Sequence, residues 1–94
     1  MKTIETNDLE TIKNYVNVYL KIDITKESRK RPVVYGRAIY YQLCRNFTTH
    51  SLSQIGSVVN KDHASVLHGL KTFKNFKEWN ENLLLQIYHQ IRIA

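Results

Sequence analysis

Apolar residues recur every three or four positions over most of the chain, which is the spacing of one face of an α-helix. The first such run predicts a helix from about Asn7, a residue suited to an N-cap, to about Ile22. Its apolar positions are Leu9, Ile12, Val16, Tyr19 and Leu20. The rhythm stops between Asp23 and Arg31, where a polar segment predicts a loop or a short turn.

A second helix is predicted from Pro32, which suits a first helical turn because its missing N–H has no partner there, to about Phe47. Gly36 weakens this prediction by about 1 kcal/mol relative to alanine. Tyr40 and Tyr41 are neighbours in the sequence, so we expect one of them to leave the core face. The core positions expected on successive turns are Val34, Ala38, Tyr41 and Cys44 or Arg45.

Two closely spaced helices are predicted next. Ser51 and Gln54 have the spacing of a capping box at the start of a short helix, which Asn60 and Lys61 interrupt. Asp62 is suited to cap the following helix, whose apolar positions are Val66, Leu67, Leu70 and Phe73. A short helix, a tight turn and a second helix are the order of a helix-turn-helix motif.

A final helix is predicted from about Lys77 to Ile93, closing the core with Leu83, Leu84, Ile87, Tyr88 and Ile91, and with Phe76 and Trp79 near its beginning. One proline, three glycines and no internal repeat argue against a β architecture with many turns. The 94 residues therefore predict an all-α fold, a single small multi-helix domain over residues 1–94 that contains a helix-turn-helix.

The net charge of +6 is concentrated locally. Glu27 is the only acid in a stretch that holds Lys26, Arg29, Lys30, Arg31, Arg37 and Arg45. Such a patch suits a polyanion such as nucleic acid, although a basic face also serves simply to keep a small protein in solution. Charge alone leaves both interpretations open.

Few residues offer catalytic or metal chemistry. The lone Cys44, expected in the core, excludes an intrachain disulfide and suits a reducing compartment. His63 and His68 are turned about 140° apart on a helix, and neither they nor His50 and His89 belong to a zinc-ligand set. With no glycine-rich phosphate loop either, we expect no enzyme, no metal and no cofactor. No segment is long and apolar enough to span a bilayer, and we expect a cytoplasmic protein.

The first turn of the second motif helix holds Asp62, His63, Ala64 and Ser65. In helix-turn-helix proteins these positions meet base edges in the major groove. Histidine and serine can hydrogen-bond to bases or phosphates, and an alanine methyl can pack on a thymine methyl. The simpler interpretation makes Asp62 an N-cap and the other three residues exposed surface, and residue types alone do not choose between the two.

Two further groups are candidate DNA contacts. Ser51, Leu52 and Ser53 begin the first motif helix, where hydroxyls and free backbone N–H groups can hold a phosphate. Arg29, Lys30 and Arg31 precede the second helix as a basic segment suited to an adjacent minor groove.

The segment HSLSQIGSVVNKDHASVLHGLKTF resembles the signature of the C-terminal DNA-binding domain, domain IV, of the bacterial replication initiator DnaA. The shared elements are His50, Ser51, Leu52, Ile55, Gly56, Asp62, His63, Val66, Leu67 and His68. The preceding segment RPVVYGRAIYYQLCRNFT resembles the family's long basic helix. This resemblance implies a Trp-repressor-like helical domain that binds double-stranded DNA at short sites called DnaA boxes.

By the same resemblance, Arg29 corresponds to an arginine in the minor groove, and Asp62 and His63 to a base-reading pair. Arg37 and Arg45 correspond to basic residues of the long helix, Arg45 to one that faces the DNA backbone, and both are candidate DNA contacts, as is Lys61. Ala64 and Ser65 replace two threonines, Ser53 a proline and Lys61 an arginine. The turn before Asp62 is one residue shorter than in the family, so we expect an altered recognition sequence.

The leading hypothesis is a stand-alone, sequence-specific binder of double-stranded DNA without the family's ATPase, acting in replication initiation or transcription regulation. A phage or mobile-element origin, and hence action in a host cytoplasm or at the nucleoid, fits such a domain. The alternative is a protein-interaction module that docks a replication or virion partner through Tyr35, Tyr40 and Trp79. The sequence does not predict the oligomeric state.

Overall fold

The computed structural model describes residues 8–78, and within that range the regular structure is entirely helical. The helices are α1 (Asp8–Leu20), α2 (Arg31–Phe47), α3 (Leu52–Ser57) and α4 (His63–Glu78). The prediction of an all-α fold is confirmed. The predicted N-cap Asn7 and the predicted helix beyond Glu78 lie outside the described residues. Lys77 and Glu78 continue α4, so the prediction that a separate helix begins at Lys77 is wrong.

Helix α2 lies at the centre of the fold, since α1, α3 and α4 all pack against it. Its middle is covered on every side, and Tyr40 and Tyr41 are 0% and 3% exposed. The prediction that one of the two leaves the core face is therefore wrong, because neighbours pack on both sides of the helix. The hydroxyl of Tyr40 donates to the backbone oxygen of Ile55 in α3 at 2.8 Å.

Helix α1 ends two residues earlier than predicted. Lys21 adopts a left-handed backbone (φ 57°), and the N–H of Ile22 donates back to the carbonyl of Asn17 at 3.1 Å. This closing bond is typical of a helix C-terminus. Tyr19, expected in the core, is 44% exposed, whereas Ile24 beyond the turn is fully buried.

The polar segment after α1 is an ordered loop. The Asn17 side chain accepts the N–H of Ile24 at 2.9 Å, and the Asp23 carboxylate accepts the N–H and the hydroxyl of Thr25. These two bonds from Thr25, the hydroxyl first, lower the pKa of Asp23. The loop therefore has a fixed path from α1 to α2.

None of the helices in the described range is both long enough and apolar enough to cross a lipid bilayer.

Helix α4 packs tightly against α2 at Gly69. A β-carbon there would collide with the ring of Tyr41, which is buried and packs at 5.7 Å between ring centroids against Tyr40.

We expect Gly69→Ala to lower the free energy of unfolding by roughly 1 to 3 kcal/mol, because overpacking exceeds the gain in helix propensity. Urea denaturation measures this, with the exposed Lys71→Ala as the control. A stabilised Gly69→Ala variant would show that the α2–α4 contact is looser than described.

Candidate nucleic-acid interface

The helix-turn-helix begins at a complete capping box. The Ser51 hydroxyl oxygen accepts the N–H of Gln54 at 3.1 Å, and the Gln54 side-chain oxygen accepts the N–H of Ser51 at 2.9 Å. These bonds satisfy two donors at the start of α3 and confirm the predicted cap. Leu52 is half-buried against the core, while Ser51 and Ser53 are exposed.

Two backbone hydrogen bonds that run back across the turn close it between α3 and α4. The N–H of Lys61 donates to the carbonyl of Gly56 at 2.9 Å, and that of Asn60 to the carbonyl of Ser57 at 3.2 Å. Asn60 has a left-handed backbone with φ 60°. This is a Schellman arrangement in which asparagine takes the position usually held by glycine. The turn, which the resemblance leads us to expect to be one residue shorter than in the family, thus has a regular geometry.

Gly56 allows α3 and α4 to approach closely. A β-carbon at this position would lie 2.5 Å from the backbone oxygen of Lys61 and 3.0 Å from a methyl group of Val66. Ile55, Val59 and Val66, one from each part of the motif, are fully buried. The turn and the start of α4 are therefore fixed by backbone packing.

The first turn of α4 presents polar and small side chains outwards. Asp62 caps the helix by accepting the N–H of Ser65 at 2.9 Å, and that bond, with a second from the Ser65 side chain, lowers the pKa of Asp62. His63 and Ala64 are exposed, and Ser65 is half-buried. Leu67, expected in the core, is 47% exposed, because the packed face of α4 runs through Val66, Gly69 and Phe73.

The basic segment that leads into α2, whose first residue is Arg31, is accessible. Arg29, Lys30 and Arg31 are all exposed, and the N–H of Lys30 donates to the Ser28 hydroxyl oxygen at 3.2 Å. Arg45 is exposed on the last turn of α2, where a positive charge also stabilises the helix dipole.

Arg37 is placed differently from the sequence expectation. Arg37 is only 9% exposed. Its guanidinium donates to the backbone oxygens of Ile24 at 3.3 Å, Lys26 at 3.1 Å and Ser28 at 2.7 Å. The charged end of this side chain faces the protein, and contact of Arg37 with DNA stays a prediction. Arg37 positions the loop that leads directly to Arg29.

An ion pair connects this loop to the helix-turn-helix. The Lys61 Nζ lies 3.0 Å from the Glu27 Oε1, across 34 positions of sequence. This bond is the main cause of the lowered pKa of Glu27. Glu27 is not among the site residues predicted from the sequence, although its position as the single acid within the basic stretch was a usable signal.

The reactive residues have structural surroundings. Cys44 is fully buried, and burial raises the pKa of its thiol to about 12. Within the described part of the chain, no three His, Cys, Asp or Glu side chains are grouped so as to hold a metal ion.

Comparison with protein families gives a match to the bacterial DnaA protein helix-turn-helix over residues 9–72, which includes all of α3, the turn and most of α4. The chain belongs to this family. The bacterial DnaA helix-turn-helix family is a DNA-binding family without catalytic function, and its matched region covers the whole interface described above.

Several relatives carry the name chromosomal replication initiator protein DnaA. That of Bacteroides thetaiotaomicron is 43% identical over 65 residues, which are 68% of this chain and 14% of the relative. That of Campylobacter concisus is 36% identical over 87 residues, 88% of this chain and 20% of the relative. The chain thus spans a fifth or less of the length of these relatives. No solved structure matched it.

Arg37→Lys tests the positioning of the loop. A lysine cannot bond to three separate carbonyls as a guanidinium does, so we expect the free energy of unfolding to fall by about 2 kcal/mol. Hydrogen exchange at the amides of Ile24 and Thr25 should also become faster. Arg31→Lys, at an exposed position of the same helix, is the matched control. Equal stability of the two variants would contradict the role of Arg37.

Asp62 gives a prediction for pH. Because its pKa is lowered in the folded protein, its stabilising effect is present above the ordinary value of 3.8 and is lost as the pH falls through the lowered value. Asp62→Asn retains a capping oxygen that does not titrate. We therefore expect the melting temperature of Asp62→Asn to fall less than that of the original protein between pH 5 and pH 2. Parallel curves would show that Asp62 does not cap α4.

Proposed function

We propose that this protein binds double-stranded DNA in a sequence-specific manner, with the first turn of α4 in the major groove and the loop before α2 in the adjacent minor groove. Membership of the DnaA helix-turn-helix family supports DNA binding as the activity. The exposed first turn of α4 and the exposed basic segment supply the two kinds of contact that such binding needs.

The observation that carries this proposal is the physical connection between the two reading elements. Arg37 fixes the backbone of residues 24–28 immediately before Arg29, and the Glu27–Lys61 pair connects the same loop to the turn before α4. A protein that enters two neighbouring grooves needs its two elements at a fixed separation. These bonds provide that separation before DNA arrives.

The side chains divide into readers and positioning contacts. We assign base reading to His63 and Ala64. Asp62 and Ser65 lie beside them and are also proposed to contact bases, although both form the N-cap bond of α4. Arg29 is proposed for the minor groove with Lys30 beside it. Phosphate contacts are assigned to Ser51, Ser53, Lys61 and Arg45. Leu52 packs against the core and thereby positions the start of α3.

The relatives are named as chromosomal replication initiators, and we propose replication initiation as the process, with transcription regulation as the second candidate. The target is proposed to be a DnaA-box-like site whose sequence is altered, on the expectation that the turn at Asn60 is one residue shorter than in the family. Action on chromosomal or phage DNA places the protein in a bacterial cytoplasm.

The alternative function, a protein-interaction module, receives less support. Tyr40 was one of its three proposed docking residues, and it is fully buried with its hydroxyl bonded to Ile55. Tyr35 is half-buried and packs against the core, and Trp79 lies outside the described residues.

Fluorescence polarisation with a DnaA-box-like duplex and a scrambled duplex tests the proposal. We expect a preference of roughly ten-fold or more for the box-like duplex. His63→Ala should relax the preference at one or two base pairs, whereas Arg45→Ala should weaken all duplexes alike and reduce the salt slope by about 1. Equal affinity for both duplexes would contradict sequence-specific binding, and identical behaviour of the variants would contradict the division into readers and positioning contacts.

A further inference from the structure

The ion pair between Glu27 and Lys61 lies where the two proposed DNA-reading elements meet. Glu27 belongs to the loop two positions before Arg29, and Lys61 to the turn one position before Asp62. The charged atoms are 3.0 Å apart, with the Glu27 side chain 85% exposed and that of Lys61 23% exposed. The pair therefore faces solvent on the side where DNA is proposed to bind.

The geometry of duplex DNA assigns a partner to this position. A major groove and its adjacent minor groove are separated by one sugar-phosphate strand. A protein that inserts α4 into one groove and Arg29 into the other must cross that strand at the point where its two elements meet. A lysine at the crossing faces phosphate oxygens, and phosphate and carboxylate oxygens accept the same charge-assisted bond from an ammonium group.

We infer that Glu27 is an internal competitor of DNA, whose carboxylate occupies on Lys61 the place that a backbone phosphate takes when a duplex binds. This inference rests on the proposed function. It adds a phosphate site at Lys61 that is filled in the free protein, and a residue, Glu27, that limits the affinity for every duplex.

The two partners differ in how firmly they are held. The backbone of Lys61 is fixed in the turn by its N–H bond to Gly56, and most of its side chain is covered. Glu27 extends into solvent, where an ion pair is weak and opens readily. Lys61 therefore stays in place when Glu27 leaves, ready for the phosphate.

Glu27 carries its negative charge at neutral pH. The bond from Lys61 is the main cause of its lowered pKa, and the positive charges of Arg37 and Arg29 contribute further. After a phosphate has displaced it, the carboxylate remains beside the DNA strand and repels it. Removing the charge should strengthen binding and also expose Lys61 to counterions that binding then releases.

The test compares Glu27→Gln with Glu10→Gln. Glu10 is paired with Lys13 at 2.7 Å on α1, so the control also removes one charge from an ion pair but leaves the proposed interface intact. Each variant and the original protein are titrated with a box-like and a scrambled duplex at about 50, 100 and 200 mM salt. Circular dichroism melting confirms that each variant is folded.

We expect Glu27→Gln to bind both duplexes several-fold more tightly than the original protein at the lowest salt, while Glu10→Gln changes affinity less than two-fold. The advantage of Glu27→Gln should shrink by roughly three-fold over the four-fold rise in salt, because its binding releases about one more counterion than that of the original protein. In a Lys61→Met background, the gain from Glu27→Gln should be clearly smaller than in the original protein, because only the repulsion between the carboxylate and the DNA then remains to be removed.

Three results would distinguish a failure of the competitor role of Glu27 from a failure of the proposed DNA binding. If Glu27→Gln behaves like Glu10→Gln, the competitor role is overturned while DNA binding stands. If Glu27→Gln binds more weakly, the pair positions the loop and does not compete with phosphate, which also overturns the inference. If the original protein binds neither duplex, the proposed function itself fails.

Discussion

The arrangement of the interface depends on one buried guanidinium. Arg37 donates to three backbone oxygens of the loop between α1 and α2, at alternate positions from Ile24 to Ser28. A buried cation needs such partners, and a planar group with several donors suits carbonyls that point from one loop towards a common centre. Because α2 supplies Arg37, the same central helix that organises the core also sets the path of the basic segment.

Close backbone packing fixes the path of the helix-turn-helix, as the bonds of Arg37 fix the path of the loop. Gly56 leaves no room for a side chain between α3 and the turn, and Asn60 accepts the left-handed conformation that closes it. The first turn of α4 is then stabilised by its Asp62 cap. Both proposed DNA-reading elements are therefore held by the protein itself, and the Glu27–Lys61 pair joins them.

Local chemistry in the sequence was sufficient for the helix order and for the caps. Ser51 and Gln54 at capping-box spacing, and Asp62 before an apolar run, form the bonds they predicted because those bonds join residues three positions apart. The DnaA resemblance of the same segment was confirmed by the family match. The start of a last helix was predicted at about Lys77, but α4 continues through Lys77 and Glu78.

Only the tertiary structure decided which faces are covered and which charges are paired. Tyr40 and Tyr41 are both buried because α2 is surrounded, a fact that the periodicity of a single helix does not contain. Arg37 belongs to the basic stretch of the sequence, but in the structure the loop between α1 and α2 covers its guanidinium. Glu27 and Lys61 meet across 34 positions, a distance over which sequence spacing carries no geometric information. The sequence by itself determined the local elements and the family, and the packing between elements determined which cations remain accessible to DNA.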